Sequence, residues 1–143
     1  MLDIKLVRKR QTNYPEVFKA INRNFLPKAG IIVLGEAQRR VRVGDGRLSG
    51  SLKYKVLTNE KVKVGTNLNY APYVEYGTGV FAEGGKGRKT PWTYFTEKYG
   101  FVTTKGMKAQ PYLRPALDLN RKRLVKLWGE TYKKVFRVLG GKS

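Results

Sequence analysis

Four of the ten acidic side chains of this chain are the candidates for acid–base chemistry: Asp45, Glu75, Glu83 and Glu97. A nuclease or a cell-wall hydrolase would use such groups to move a proton. The chain contains no histidine and no cysteine, which removes the usual zinc ligands, the thiol nucleophile and the commonest general base. The carboxylates also lack the spacing of a metal site or an acid–base pair. The sequence therefore favours a protein without catalytic activity, and we expect no metal and no cofactor.

Glu75 belongs to the most informative stretch of the chain, residues 64–79. The stretch begins as the end of a strand at Val64-Gly65-Thr66. Tyr70, Tyr73 and Tyr76 follow at intervals of three, which places them on one side of a single helical turn. The glycines of Gly77-Thr78-Gly79 permit the positive φ that a tight exit needs. We predict a strand, an aromatic helical turn that carries Glu75, and a flexible loop.

The loop that follows, residues 79–90, is rich in glycine and positive charge. Its composition offers too little apolar surface to offset the entropy of ordering, so we predict a mobile basic loop. Its basic side chains, Lys86, Arg88 and Lys89, are candidate contacts to DNA or to a protein partner. Gly87 stands where a phosphate-binding P-loop has serine or threonine, so that motif is excluded. Residues 1–12 are either a short edge strand or an arm that orders only against a neighbour.

Net charge is the most extreme property of the chain: 30 basic and 10 acidic residues give +20 over 143 residues. Such a charge predicts attraction to polyanions or to acidic protein surfaces. The basic residues are spread along the chain, so a highly soluble surface explains them as well as a surface that faces DNA. The longest apolar run, residues 31–34, is far shorter than the roughly 20 residues that span a bilayer. We expect no membrane association. We also expect synthesis in a cytoplasm, because residues 1–10 do not form a signal peptide.

The helical segments follow from apolar spacing. A first helix begins near Pro15, and Pro27 is expected to interrupt it before a second helical segment runs on towards Gly44. A last, long helix follows the segment from Pro111 to Pro115. Its predicted buried stripe consists of Leu113, Leu117, Leu124, Leu127, Trp128, Thr131 and Val135.

Two hairpins are predicted between these helices. Residues 52–56 and 61–64 alternate apolar residues with lysine, and residues 92–95 and 101–104 are rich in aromatic and β-branched types. The lysines of the first hairpin either discourage edge pairing or contact DNA. The predicted fold is α+β, a single domain over 1–143: helices packed on one face of a twisted, mainly antiparallel sheet of about four strands, with a long C-terminal helix.

Three blocks in order resemble the signature of the head-tail joining or tail-completion proteins, minor tail components of long-tailed, siphovirus-type DNA bacteriophages. Residues 46–52 read Gly-Arg-Leu-Ser-Gly-Ser-Leu, residues 64–78 hold Val-Gly-Thr followed by Tyr-Ala-Pro-Tyr-Val-Glu-Tyr-Gly-Thr, and residues 111–117 read Pro-Tyr-Leu-Arg-Pro-Ala-Leu. The resemblance implies a similar fold and a structural virion protein at the phage neck, either a tail-completion or a tail-terminator component. It also implies rings of several copies, six or twelve, between the connector or head-closure protein and the tail tube or tail terminator protein.

The blocks also suggest assembly residues: Arg47, Tyr70, Tyr73, Glu75, Tyr76 and Arg114. Glu75 lies in an apolar turn, and its carboxylate needs a partner to offset desolvation. The candidates are Arg114 and Arg47. DNA in the channel could be contacted through its phosphates. The alternative function, a free-standing nonspecific DNA-binding protein, stays open and is distinguished by salt-sensitive duplex binding of the dilute monomer.

Overall fold

The computed structural model describes residues 15–42 and 45–140. Four α-helices lie at Pro15–Arg40 (α1), Gly46–Ser51 (α2), Ala71–Tyr76 (α3) and Leu113–Gly140 (α4). Four strands lie at Lys53–Thr58 (β1), Lys61–Gly65 (β2), Trp92–Thr96 (β3) and Gly100–Thr104 (β4). Two short 3-10 turns, Gly79–Phe81 and Glu83–Gly85, follow α3. The predicted α+β class and the long C-terminal helix are confirmed. The predicted arm or edge strand at 1–12 lies outside the described residues.

Helix α1 is the central element of the core. It packs along α4 and against the hairpin β1–β2. Its buried apolar side chains are Ile21, Phe25, Leu26, Ala29, Val33 and Ala37. Gly30 is buried where the ring of Tyr54 from β1 crosses the helix, and a Cβ atom at that position would lie 2.6 Å from Tyr54 Cδ2. The absence of a side chain on Gly30 therefore sets how closely β1 approaches α1.

The prediction that Pro27 interrupts the first helix is wrong. Helix α1 is continuous through Pro27. A proline inside a helix removes one backbone hydrogen bond and costs about 3 kcal/mol. Phe25, Leu26 and Ala29 on either side of it are each about 1% exposed, and this burial against α4 and the hairpin outweighs the local cost. Tertiary packing, more than propensity, stabilises most helices.

The prediction of a single sheet of about four strands is also wrong. The strands form two separate antiparallel hairpins, β1–β2 and β3–β4. In β1–β2, Tyr54 pairs with Val64 and Val56 with Val62, and both β2 valines are buried against the core. In β3–β4, Phe95 pairs with Phe101. Alternating apolar residues identify strands and the face that each buries, but they do not specify which strand edges pair with each other.

Helix α4 buries the stripe that its sequence predicts. Leu124 and Thr131 are buried, and the other five predicted positions are half-buried. Trp128 lies 6.4 Å from Phe18 of α1, measured between ring centroids. In the part of the chain that the structure describes, no helix is long and apolar enough to cross a membrane.

Candidate assembly site around Glu75

Helix α3 presents Glu75 to the interior and two tyrosines to the outside. Pro72 stands in its first turn, where a missing N–H costs nothing. The helix ends at Tyr76, and the next residue, Gly77, has a φ of +78°, a conformation that favours glycine. Glu75 is 4% exposed, whereas Tyr73 and Tyr76 are 58% and 48% exposed. The predicted aromatic turn is therefore a short helix with a charged group on its buried side.

The carboxylate of Glu75 caps the beginning of α4. The backbone N–H groups of Tyr112 and Leu113 donate to Oε2 at 2.8 and 3.0 Å, and that of Arg114 donates to Oε1 at 3.1 Å. These N–H groups have no partner within the helix, because the first turn of any helix leaves its donors free. The next residue, Pro115, has no N–H to satisfy. A negative charge at this end also interacts favourably with the helix dipole.

Arg114 joins this cap to the loop. Its Nε donates to Glu75 Oε1 at 2.9 Å, and its Nη2 donates to the backbone oxygen of Glu75 at 3.0 Å. The other edge of the guanidinium makes a two-point contact with Glu83, at 2.8 and 2.9 Å. The guanidinium also lies over the ring of Tyr76, 4.6 Å from its centroid. One arginine therefore connects α3, α4 and the 3-10 turn that carries Glu83.

These contacts govern the protonation of the site. Burial alone would raise the pKa of Glu75, but the N–H groups of Leu113 and Tyr112 and the guanidinium of Arg114 outweigh it and hold the pKa below its ordinary value of 4.5. The hydrogen bonds from Arg114 likewise lower the pKa of Glu83. The carboxylates of Glu83 and Glu75 raise the pKa of Arg114. Burial, with the nearby charge of Glu75, raises the pKa of Tyr112 to about 12.

A second polar contact connects α3 to α2. The hydroxyl of Tyr70 donates to Asp45 Oδ1 at 3.0 Å. The same oxygen accepts the N–H of Leu48 at 3.1 Å and so caps α2. Burial, and then the hydrogen bond to Asp45, raises the pKa of Tyr70. Asp45 therefore fixes the start of one short helix and the tyrosine that precedes the next.

The comparison with protein families matches residues 5–77, just over half of the chain, to the HK97-gp10-like family, described as "Bacteriophage HK97-gp10, putative tail-component". The chain belongs to this family. The match covers α1, α2, β1, β2 and α3, and it ends directly after Tyr76. Arg114 and the rest of α4 lie outside it. The search of curated proteins and the search of solved structures found no match.

Membership of the HK97-gp10-like family makes the chain a structural component of the bacteriophage tail and hence of the virion. The geometry around Glu75 suits such a role. Its two oxygens accept four hydrogen bonds, and its lowered pKa keeps it ionised at neutral pH. A carboxylate held in this way is a poor general base, because a base must accept a proton near the working pH. Among the described residues, no group of three or more acidic side chains could hold a metal ion.

The structure brings some of the predicted residues of this HK97-gp10-like chain together and separates others. Glu75 and Arg114 are paired, as the need of a buried carboxylate for a partner predicted. Arg47 is exposed on α2, and the hydrogen bonds of the Glu75 carboxylate come from α4 instead. Tyr70, Tyr73 and Tyr76 do not share an environment: the first bonds Asp45, the second is open to solvent, and the third lies beneath Arg114. Their roles in assembly stay predictions.

The basic candidates of the loop lie on the surface. Lys86, Arg88 and Lys89 are all exposed. Arg88 donates to the Thr90 hydroxyl at 3.1 Å and lies over the ring of Trp92, 5.5 Å from its centroid. The mobility of the loop and its contact with DNA stay predictions.

Glu83 is the site residue that sequence reasoning missed in its structural role. Its residue type indicates only a candidate catalytic carboxylate, and no local pattern connects it to Arg114, which lies 31 residues further along the chain. The contact depends on how the intervening loop returns. The backbone N–H of Thr78 donates to the Met107 oxygen at 2.8 Å, and that of Val80 donates to the Lys105 oxygen at 3.0 Å. These bonds fix the loop and the base of the hairpin β3–β4 beside the start of α4.

Proposed function

We propose that this tail component acts at the joint between head and tail, as a tail-completion or tail-terminator protein. Copies of the chain form a ring there through head-to-tail contacts, between the connector or head-closure protein and the tail tube or tail terminator protein. The family supports a structural tail role. The three signature blocks support the neck as the place. A joint on a tail axis requires closed cyclic symmetry, and heterologous contacts close into a ring when their rotation permits it.

The observation that carries the proposal is the exposure of aromatic side chains on the hairpin β3–β4. Monomeric proteins rarely leave such a patch exposed. Phe95, Tyr99 and Phe101 are 63%, 70% and 80% exposed within this one hairpin. Contiguous exposed apolar patches of this kind mark protein–protein contacts. The hairpin is therefore a contact surface for another protein of the joint, which fits a protein whose function is assembly.

The charge of the chain adds a second expectation. A ring of about six copies would collect about +120 of formal charge, which opposes closure unless salt, DNA or acidic partners screen it. We expect the isolated protein to be a monomer or small oligomer at low salt. Added salt, polyanions or the adjoining neck protein should promote the ring, as sedimentation across a salt series would measure. A stable closed ring at low salt without any partner would contradict this electrostatic expectation.

DNA in the channel is the second proposed partner, and the first hairpin favours it. Lys55 and Lys63 are directly opposite each other on the outer face of β1–β2, and Lys53 lies beside them on that face. Like charges opposite each other destabilise a hairpin, so phosphates would relieve this repulsion without reading base sequence. A free-standing nonspecific DNA-binding protein would use the same face. Tight, salt-sensitive duplex binding by the dilute monomer would favour that alternative.

The function is tested by removing the chain from the phage. A nonsense mutation in its gene, compared with the same mutant complemented by the intact gene, should give filled heads and tails that do not join. Electron microscopy of the lysates would count joined and separate particles. Joined, infectious virions without the protein would contradict the proposal. A defect confined to the tail tip would place the protein elsewhere in the tail.

A further inference from the structure

The exposed face of the hairpin β3–β4 has a defined shape. Phe95 and Phe101 are cross-strand partners, and their rings meet edge to face with centroids 5.4 Å apart. Thr93 and Thr103 continue the same face, joined through their hydroxyls at 2.7 Å. The two strands pack chiefly on each other. An isolated two-stranded hairpin is only marginally stable in water, so a surface that covers these rings would stabilise it.

The same hairpin differs from the rest of the chain in charge. Residues 92–104 contain one acidic and one basic residue, Glu97 and Lys98, so the hairpin has no net charge in a chain of +20. Lys98 Nζ lies over the ring of Tyr99, 5.0 Å from its centroid. Copies of a strongly basic chain repel each other through most of their surfaces. A neutral, aromatic hairpin is a place where one copy can approach another without that repulsion.

A groove between α1 and α4 has the complementary character. It has a volume of about 310 Å³, and its lining combines the apolar side chains of Ala20, Val135 and Val138 with the neutral polar ones of Asn24 and Thr131. Lys28 from α1 and Lys134 from α4 also line it. Apolar side chains accompanied by two cations would accept aromatic rings and the carboxylate of Glu97 together.

A chain cannot place its own hairpin in its own groove. The base of the hairpin is bonded to the 3-10 turn Gly79–Phe81 through Val80 and Lys105, and the 3-10 turn that follows is held at the start of α4 by the contact of Glu83 with Arg114. Thr131, where the groove begins on α4, lies 18 residues beyond Leu113, a distance of about 27 Å at the helical rise. A strand of five residues reaches only about 17 Å. The two surfaces are therefore available to different copies.

We infer that the hairpin β3–β4 of one copy docks in the α1–α4 groove of the next, with Phe95 and Phe101 against the apolar side chains of its lining and Glu97 beside Lys28 and Lys134. The inference rests on the proposed function, for which it names the contact between neighbouring copies. The two surfaces differ, so the contact is heterologous and repeats from copy to copy until the ring closes.

Disulfide trapping tests the contact directly, because the chain has no cysteine of its own. The double variant Glu97→Cys with Lys134→Cys is oxidised within assembled particles and separated without reductant. We expect a ladder of covalent multimers up to the full ring. The matched control, Glu60→Cys with Lys134→Cys, moves the first thiol to the tip of the other hairpin and should stay monomeric. An equal ladder in the control, or no ladder in the test variant, would overturn the inference.

Two further variants would reveal whether the hairpin or the groove contacts something other than the neighbouring copy. Dimers from Glu97→Cys alone, at the yield of the double variant, would mean that hairpins pack on each other. A ladder that appears only after residues 1–12 are deleted would mean that the chain's own N-terminus fills the groove. Either result overturns the inference. If the protein is present as a ring at the joint but does not cross-link, the inference fails alone; if it is absent from the joint, the proposed function fails.

Charge reversal gives an independent measurement on the purified full chain, at the lowest salt concentration at which the wild type self-associates, because more salt would also screen the pair of Glu97 and Lys134. Glu97→Lys and Lys134→Glu should each weaken self-association about tenfold, whereas combining them should restore most of it. Glu60→Lys makes the same charge change on the β1–β2 tip and should have no such effect. Sedimentation velocity would measure association, and circular dichroism would verify folding of each variant. If the double variant loses as much association free energy as the two single variants together, the contact between Glu97 and Lys134 is contradicted.

Discussion

Replacing Glu75 by alanine should destabilise the fold far more than replacing Glu83 by alanine, although both carboxylates bind Arg114. Glu75→Ala leaves the buried N–H of Tyr112 without an acceptor, which costs about 1–3 kcal/mol. Loss of the negative charge at the start of α4 adds about 0.5–1 kcal/mol. The Arg114 guanidinium stays paired with Glu83 and is 42% exposed. Loss of its ion pair with Glu75 therefore adds at most about 1 kcal/mol.

The expected total is about 3 kcal/mol for Glu75→Ala, equivalent to a fall in Tm of roughly 10 °C for a chain of this length. Glu83→Ala removes a pair in which both side chains are more than 40% exposed, and it should cost about 0.5 kcal/mol. Urea unfolding followed by circular dichroism would measure both. Equal losses for the two variants, or a loss below about 1 kcal/mol for Glu75→Ala, would refute the assignment of Glu75 as the cap of α4.

Three further predictions follow from the same structure. Folding lowers the pKa of Glu75, so the free energy that this carboxylate adds to stability is present above its ordinary pKa of 4.5 and is lost as the pH falls through the lowered pKa. The unfolding free energies of the wild type and of Glu75→Gln should therefore converge in acid. A difference that stays constant with pH would count against this prediction. Gly30→Ala should destabilise the protein by about 1–3 kcal/mol, because the new methyl group meets the side chain of Tyr54. Gly35→Ala in the same helix places its methyl group where nothing lies within 4 Å, and it should stabilise the protein by about 1 kcal/mol. Thermal melts would compare the two variants. Amides of residues 79–90 and 1–12 should exchange hydrogen faster in the free subunit than in the assembly, and equal protection in both states would contradict a loop and arm that order on assembly.

The pairing at the site was predictable because its physical cause is local. Glu75 lies in an apolar turn, and a carboxylate in such a turn needs a cation as a partner. The sequence blocks offered two candidates for that partner, Arg114 and Arg47. The cap on α4 was not predictable in the same way. It depends on the path of residues 77–111, which brings the first turn of α4 to the buried face of α3. No sequence spacing encodes that path.

The fold shows the same division between local and long-range information. Alternation predicted the strands of β1–β2, and helical spacing predicted the stripe of α4, because both patterns record one buried face. The strands of β3–β4 were predictable from their aromatic and β-branched composition. The joining of the hairpins into one sheet was wrong, because nothing local specifies which strand edges pair. The prediction of a break at Pro27 was wrong for a related reason: the local cost of the proline is visible in the sequence, whereas the packing of Phe25 and Leu26 that offsets it is not.

We propose that copies of this chain form a ring at the joint between head and tail, and a cryo-electron microscopy reconstruction of intact particles along the tail axis would test this claim. We expect a closed ring at the neck into which the described fold fits, with α3, the start of α4 and the hairpin β3–β4 in each copy. Density for this fold at the tail tip, or its presence as single copies in the neck, would contradict the claim.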